Sequence, residues 1–473
     1  MSKSSSAPLS WIEKAVLIHT SAMFLGASWI FGGNIEWMRP VLSIWGTLGA
    51  VLTLFAFTQP GFRGQSARRK AGWLLPLALF SLLVLSSLMN LSFRPIIAGG
   101  ELSYIKTSVP HPYLPSTISA PLSLDSWWLG AGIYLSAFNL ACALHSRAAL
   151  RAVFILIAVN TLVLSLFGTI QALSSAGFYF GASQSPNPRF FATFIYYNHW
   201  GAFMMLGLGT AVGLLFYLMR RYQGKSLAHS PFGVALLGVL LIATTAPVSA
   251  SRANTLISAF ILMIALVHSL VLIAKSRRRQ GRSPWPALSA ILLLAILSTS
   301  AAGWLSYQSL SERVAETKSV IDHEQSVFGG RAELYRDTWL LAREKPVFGW
   351  GLNTYAIGFQ QIRPYSYINY SNGNERYYAT AHNDWLQSVA ETGFVGTTLL
   401  VLMGLVPLLS LKKRQWTHPL TAYPLLGCLL VVLYAAFEFP FGNAAFLVTF
   451  WILLFATVRY AQLSDLVSRP AHE

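Results

Sequence analysis

The sequence is poor in charged residues. Asp, Glu, Lys and Arg together make up 11% of its 473 residues, whereas soluble domains contain about 25%. A water-soluble chain of this length needs more polar surface, so the composition excludes a soluble enzyme and a disordered protein. It has only two cysteines, and both lie in apolar stretches, which excludes a disulfide-stabilised scaffold. Hydrophobic residues make up 54%, which predicts an all-α, polytopic integral membrane protein.

Twelve apolar segments are long enough to predict transmembrane helices. They lie at about 12–31, 40–58, 73–91, 126–144, 150–173, 198–219, 232–249, 252–274, 286–306, 394–410, 421–437 and 444–461. The seventh and eighth segments are separated only by polar residues and a proline within an otherwise continuous apolar run. The first segment contains Glu13 and Lys14, and no small-residue cleavage site follows it. We therefore expect a retained anchor rather than a cleaved signal peptide.

Acidic residues are also scarce, because 17 Asp and Glu stand against 34 Lys and Arg, a formal net charge of +17. The sequence lacks zinc-finger spacing and RNA-binding signatures, so we expect no nucleic-acid partner. With the N-terminus in the cytoplasm, 21 of the 34 basic residues fall in segments predicted to be cytoplasmic. This distribution obeys the positive-inside rule. Both termini are therefore predicted to face the cytoplasm.

Two predicted outer loops are long. The first, at about 92–125, contains five prolines and predicts an irregular cover. The second divides the chain into spans 1–9 at residues 1–306, a loop at 307–393, and spans 10–12 with a cytoplasmic tail at 394–473. A loop of this length with its own helical pattern is usually functional.

The long loop contains two predicted helices. The first covers Ala332 to Glu344, and Arg331, Tyr335 and Trp339 recur at a spacing that places them on one helix face. The second opens after Ala381-His382-Asn383 and ends at Gly393, a natural helix C-cap. It is too polar to span a membrane, so we expect it to lie at the outer membrane surface.

Arg252 is the unusual cation among the predicted spans. It lies at the outer end of a span, where the positive-inside rule disfavours it and desolvation is costly. It needs an anionic partner, and Glu438, at another outer span end, is the simplest candidate. A structural Arg252–Glu438 ion pair is therefore one expectation.

These residues together resemble the O-antigen ligase and O-antigen polymerase superfamily. The motifs that carry the resemblance are Ser251-Arg252-Ala253, Gly330-Arg331 with Trp339 and Pro346, Gly349-Trp350-Gly351, Ala381-His382-Asn383, Glu391-Thr392-Gly393 and Phe437-Glu438-Phe439-Pro440. They cover about half of the chain, from Tyr196 to Phe441.

The resemblance implies a membrane glycosyltransferase of polysaccharide biosynthesis, with its active site on the periplasmic side of the bacterial inner membrane. Its donor would be a glycan on undecaprenyl pyrophosphate. The acceptor would be the lipid A core of lipopolysaccharide, another glycan as in exopolysaccharide synthesis, or a protein hydroxyl. The motifs do not separate a ligase from a polymerase or a protein O-oligosaccharyltransferase. A polyprenyl-linked sugar transporter or flippase is the alternative, although the spans lack the mid-membrane charges typical of transporters.

The pyrophosphate leaving group explains the arginines that the resemblance singles out. Arg252 and Arg331 would bind phosphate oxygens and stabilise the charge that grows as the sugar–phosphate bond breaks. The candidates for substrate binding are Arg252, Arg331, Arg336, Asn383 and Glu438.

The hydroxyl acceptor needs a proton acceptor, and the resemblance implies His382 as the general base. A single displacement at the anomeric carbon would invert its configuration. The carboxylates that could orient His382 are Glu438, Glu391 and Asp384. The sequence has no Asp-x-Asp or Glu-x-x-His pattern near these residues, so we expect neither a metal nor another cofactor.

Overall fold

The computed structural model describes residues 8–58, 65–222, 230–249, 251–305, 307, 329–362 and 378–467. Most of these residues are helical. The helices are α1 (Trp11–Trp29), α2 (Met38–Thr58), α3 (Gln65–Gly72), α4 (Leu75–Ser87), α5 (Ala120–Ala143), α6 (Arg147–Leu173), α7 (Tyr197–Arg221), α8 (Phe232–Val248), α9 (Arg252–Arg279), α10 (Trp285–Leu305), α11 (Gly329–Glu344), α12 (Tyr355–Ile362), α13 (Asp384–Leu409), α14 (Pro419–Tyr434) and α15 (Ala444–Val467). Short 3₁₀ helices lie at Phe31–Gly33, Phe178–Gly181, Lys413–Thr417 and Pro440–Gly442.

Each of the twelve apolar segments coincides with a helix. Seven helices among the described residues are long and apolar enough to cross a membrane, namely Met38–Thr58, Arg69–Ser87, Arg147–Leu173, Tyr197–Arg221, Arg252–Arg279, Asp384–Leu409 and Ala444–Ser464. The structure therefore supports a multi-pass helical membrane protein. The count of twelve spans, and the side of the membrane that each loop faces, stay predictions.

Helices α7 and α15 form the centre of the bundle, since 83% and 94% of the residues in their most apolar 18-residue stretches are buried. Glycines allow the neighbouring backbone to approach α7 closely. A Cβ added at Gly209 would lie 2.8 Å from the carbonyl oxygen of Tyr423, and Gly427 faces it on α14. Small residues at such contacts are typical of helix packing in membranes. This central packing fixes the positions of the ends of α7 and α14, and residues at these ends form part of the candidate site.

The contacts at the helix ends agree with an alternating arrangement of spans. At one end, the Glu13 carboxylate of α1 accepts a hydrogen bond from the backbone N–H of His145 at 3.0 Å. At the other end, the Asn443 Nδ2 donates to the carbonyl of Gly32 at 2.8 Å. Residues predicted to lie on one side of the membrane are thus grouped at one end of the bundle.

The loop at 92–125 differs from the irregular cover that its prolines predicted. Phe93–Ala98 (β1) and Glu101–Lys106 (β2) pair as an antiparallel hairpin. Gly99 and Gly100 form its turn with φ of +62° and +87°, a conformation that glycine adopts without strain. The prediction was wrong for residues 93–106, because a two-stranded hairpin has only edge strands, where a proline such as Pro95 is tolerated. Residues 107–119 are irregular, as predicted.

Candidate active site

Helix α11 contains the predicted face of Arg331, Tyr335 and Trp339. The Tyr335 hydroxyl donates to the His382 carbonyl at 2.9 Å, and the Trp339 ring lies 6.4 Å from the ring of Phe394. The face therefore packs against His382, just before α13, and against α13 itself, as its helical spacing allows. This contact brings the start of α11 to the residues around His382.

Glycines fix how the loop after α11 packs against α13. Gly349 and Gly351 have φ of +69° and +114°, and the Gly351 N–H donates to the Glu391 carbonyl at 2.7 Å. A Cβ added at Gly349 would lie 2.3 Å from the Glu391 carbonyl carbon, so no larger residue fits there. Gly393, with φ of +66°, interrupts α13. The two helices predicted on either side of Gly393 thus follow each other directly, with this glycine as the kink.

Two of the three candidate carboxylates accept hydrogen bonds from backbone N–H groups. The Glu391 side chain accepts from the N–H groups of Asn353 at 2.8 Å and Tyr355 at 3.2 Å. Asp384 accepts from the Phe441 N–H at 2.8 Å. Neither carboxylate contacts the imidazole of His382 among the described residues. Both instead hold the connections that surround the site.

Glu438 is the carboxylate on which the site residues meet. It follows α14 and is only 4% exposed. Its Oε1 accepts from Arg331 Nη2 and from Asn198 Nδ2, the latter at 2.9 Å. Its Oε2 lies 3.5 Å from both His382 Nδ1 and the Tyr196 hydroxyl. A buried carboxylate is stable only with such partners.

This carboxylate also sets the electrostatics of its neighbours. Burial of Arg331 disfavours its charge, but the adjacent Glu438 outweighs burial and raises the pKa of the guanidinium. Burial, together with the charge of Glu438, raises the pKa of the Tyr196 hydroxyl. Arg331 is therefore charged and Tyr196 is neutral at physiological pH. The Arg331 Nη1 also donates to the Phe437 carbonyl at 3.0 Å.

His382 has a strained backbone and an incompletely bonded ring. Its φ is +50°, a left-handed conformation that costs a non-glycine residue on the order of 1 kcal/mol. Its Nδ1 is buried without a hydrogen bond, at a long 3.5 Å from Glu438. The ring lies edge-on to Phe439, with centroids 4.8 Å apart. Since 29% of the side chain is exposed, the ring is accessible from outside the bundle.

The expected ion pair between Arg252 and Glu438 is wrong, because Arg331 occupies that carboxylate. Arg252 is exposed and makes no ion pair within the part of the chain that the structure describes. It nevertheless lies at the same end of the bundle. The preceding residue, Ser251, donates to Asn198 Oδ1 at 2.7 Å, and Asn198 in turn contacts Glu438.

Arg336 and Asn383 do not reach this cluster. The Arg336 side chain is 74% exposed, and its Nε lies 3.5 Å from a carboxylate oxygen of Asp337. The Asn383 oxygen accepts from the Leu386 N–H at 2.9 Å, which caps α13. Substrate binding by these two residues stays a prediction without geometric support.

The sequence analysis missed Tyr196 and Asn198 as site residues. The signal was a polar stretch, Tyr196-Tyr197-Asn198-His199, at the start of an apolar span. Among the described residues, no group of three His, Cys, Asp or Glu side chains could hold a metal ion.

The comparison with protein families agrees with the motifs. The model of a family described as O-antigen ligase matches residues 237–401. The matched stretch includes Arg252, Arg331 and His382, whereas Asn198 and Glu438 lie outside it. No curated protein matches the chain.

Proposed function

We propose that the protein is a membrane glycosyltransferase, because residues 237–401 match the model of a family described as O-antigen ligase. It transfers a glycan from undecaprenyl pyrophosphate to a hydroxyl acceptor on the periplasmic side of the bacterial inner membrane. One observation carries the proposal: Arg331 and His382, from separate motifs, meet on the Glu438 carboxylate. A cation and an imidazole on one buried carboxylate suit the transfer of a group from a phosphate to a hydroxyl.

Arg331 and Arg252 receive the pyrophosphate of the donor. Arg331 has five N–H donors, and Glu438 and Phe437 use only part of them. Its side chain is 39% exposed, so the remaining N–H groups are open to phosphate oxygens. Arg252 is exposed at the first position of α9. Removing a donor to the developing charge, as in Arg331→Ala, typically costs about 2.7–4 kcal/mol of transition-state stabilisation.

His382 receives the proton of the acceptor. Its Nδ1 faces Glu438, so Nε2 is the nitrogen that faces the acceptor hydroxyl. The acceptor oxygen forms a bond to the anomeric carbon while the carbon–oxygen bond to the pyrophosphate breaks. The electron pair leaves with the pyrophosphate, the proton goes to Nε2, and Glu438 stabilises the imidazolium. The attack comes from the face opposite the leaving group, so the configuration inverts.

The acceptor decides between a ligase, a polymerase and a protein O-oligosaccharyltransferase. All three share the donor and the base, so the cluster around Glu438 serves each of them equally. The test therefore supplies the full-length protein, purified into lipid nanodiscs, with an undecaprenyl-pyrophosphate-linked oligosaccharide. Separate reactions contain lipid A core, a second lipid-linked glycan, or a Ser- and Thr-containing peptide.

We expect sugar to appear on one acceptor and free undecaprenyl pyrophosphate to be released. Arg331→Ala and His382→Ala should each remove this transfer. Arg343→Ala is the matched control, since Arg343 is an exposed arginine on the same helix, α11, and should retain wild-type transfer. The proposal is lost if both site variants transfer glycan like the wild type. It is also lost if the protein in sealed vesicles moves the donor across the bilayer without transferring sugar.

A further inference from the structure

Asn198 is a buried amide whose nitrogen and oxygen are both hydrogen-bonded. It lies in the first turn of α7 and is 6% exposed. Its Nδ2 donates to Glu438 Oε1 at 2.9 Å and to the Tyr196 hydroxyl at 2.7 Å. Its Oδ1 accepts from Ser251 Oγ at 2.7 Å. A reversed amide would place Oδ1 against a carboxylate, so these partners permit only one orientation.

This amide connects three parts of the chain. It belongs to α7, Ser251 is the residue just before α9, and Glu438 follows α14. Because Arg252 is the first residue of α9, the bond from Ser251 fixes the helix end from which Arg252 extends. The bond to Glu438 fixes the carboxylate that binds Arg331. Through Ser251 and Glu438, Asn198 therefore connects the helix end of Arg252 to the carboxylate that binds Arg331.

The two strongest contacts of Glu438 fall on the same oxygen. Arg331 and Asn198 both donate to Oε1. With Oε1 held from two directions, the carboxylate cannot rotate about its terminal bond without losing both. Its Oε2 then stays at His382 Nδ1. Without Asn198, Arg331 alone would hold this oxygen, and the plane of the carboxylate could turn away from the imidazole.

We propose that Asn198 is a positioning residue of the transfer reaction, which orients Glu438 toward His382 and sets the place of Arg252 relative to Arg331. This inference rests on the proposed function, because the orientation of Glu438 affects the rate only if His382 acts as the base. Asn198 itself touches neither the donor nor the acceptor.

The test is a double-mutant cycle with Asn198→Asp and Glu438→Gln. Asn198→Asp keeps the size of the side chain but replaces both N–H donors with an acceptor beside a carboxylate. We expect kcat to fall about 100-fold, with the KM for the lipid-linked donor changed by less than about threefold. In the Glu438→Gln background, the carboxylate that Asn198 orients is absent, and the carboxylate introduced at position 198 meets no like charge at position 438. There, Asn198→Asp should lower kcat less than about fivefold, a strong coupling between the two positions.

Asn443→Asp is the matched control. Asn443 is also a buried asparagine at this end of the bundle, 1% exposed, but it bonds to Gly32 and Phe446 rather than to Glu438. This substitution should lower kcat by the same factor in the wild type and in the Glu438→Gln background.

Ser251→Ala tests the hydrogen bond to the oxygen of the Asn198 amide. We expect kcat to fall about fivefold in the wild type and to change little after Asn198→Ala.

The inference is overturned if Asn198→Asp lowers kcat by the same factor in both backgrounds, or if it raises KM while kcat is retained. Equal thermal stability of the variants excludes a general folding defect as the cause of a coupled loss. A wild-type protein that transfers no glycan to any acceptor contradicts the proposed function itself. An active wild type with an uncoupled Asn198→Asp contradicts only the role of Asn198.

Discussion

Cations with hydrogen-bond partners lie at both ends of the helical bundle, and the kind of partner differs between the ends. At the end remote from the candidate site, Lys70 and Arg459 are 6% and 7% exposed. Lys70 Nζ donates to the Ala141 carbonyl at 2.8 Å, and Arg459 Nε donates to the Leu144 carbonyl at 2.6 Å. Both carbonyls lie at the C-terminal end of α5, where cations complement the helix dipole.

At the site end, the cation and the imidazole share one side-chain carboxylate instead. Arg331 keeps free N–H donors at an accessible surface, and His382 Nδ1 has no hydrogen bond. Backbone carbonyls bind the cations at the remote end. Arg331 and His382 have unused hydrogen-bonding groups, which is common for residues that bind a substrate. The comparison therefore supports the proposal that the cluster around Glu438 carries the chemistry, whereas Lys70 and Arg459 stabilise the fold.

Substitution of His382 should reveal the largest difference between the two ends in their effect on the transfer rate. His382→Asn retains a residue that tolerates the left-handed backbone but removes the base, so we expect transfer to fall about 10²- to 10⁴-fold. The measurement is the single-turnover rate at equal amounts of folded protein. His145→Asn changes a histidine at the remote end and should leave that rate within about twofold. Equal losses in both variants would show that the two ends do not differ in function.

Arg331→Lys tests whether the shape of the cation matters. Lysine keeps the charge but lacks the planar fork that can contact Glu438 and a phosphate together. We expect kcat to fall about 100-fold, and Arg343→Lys on the same helix should be neutral. A lysine variant with wild-type kcat would mean that Arg331 acts only as a distant charge.

Arg252→Gln should have a smaller effect, because Arg252 has no ion-pair partner to lose among the described residues. We expect the KM for the donor to rise about tenfold, equivalent to about 1.4 kcal/mol, with the thermal unfolding temperature unchanged. If this variant instead unfolds at a lower temperature, Arg252 is a structural residue like Lys70. The cations at the two ends would then not differ in function.

Features with a local cause could be predicted from the sequence. The apolar segments matched helices because hydrophobic runs of this length form helices in a membrane. The face of Arg331 and Tyr335 was predicted correctly since it follows from helical spacing alone. Gly393 was predicted as a helix break, and its positive φ bears this out.

The pairing of Glu438 could not be predicted in the same way. Arg252 and Glu438 both lie at outer span ends in the sequence, but the partner of a carboxylate depends on how separate helices pack. The packing of α11 against His382 brings Arg331 to the carboxylate first. Asn198 was overlooked for the same reason, because its partners Ser251 and Glu438 lie 53 and 240 positions away.

Lys70→Met should have the smallest effect on transfer. It tests whether a buried cation at the remote end affects stability alone. The substitution keeps an apolar stem but leaves the Ala141 carbonyl without its donor, which costs about 1–3 kcal/mol of stability. We expect a lower unfolding temperature in nanodiscs, while the transfer rate per folded molecule stays within about twofold of the wild type. Lys413→Met, at an exposed lysine of the same end, controls for the loss of charge and should leave both quantities unchanged. A slower transfer by folded Lys70→Met protein would mean that the remote end communicates with the site, and that its buried cations are more than helix caps.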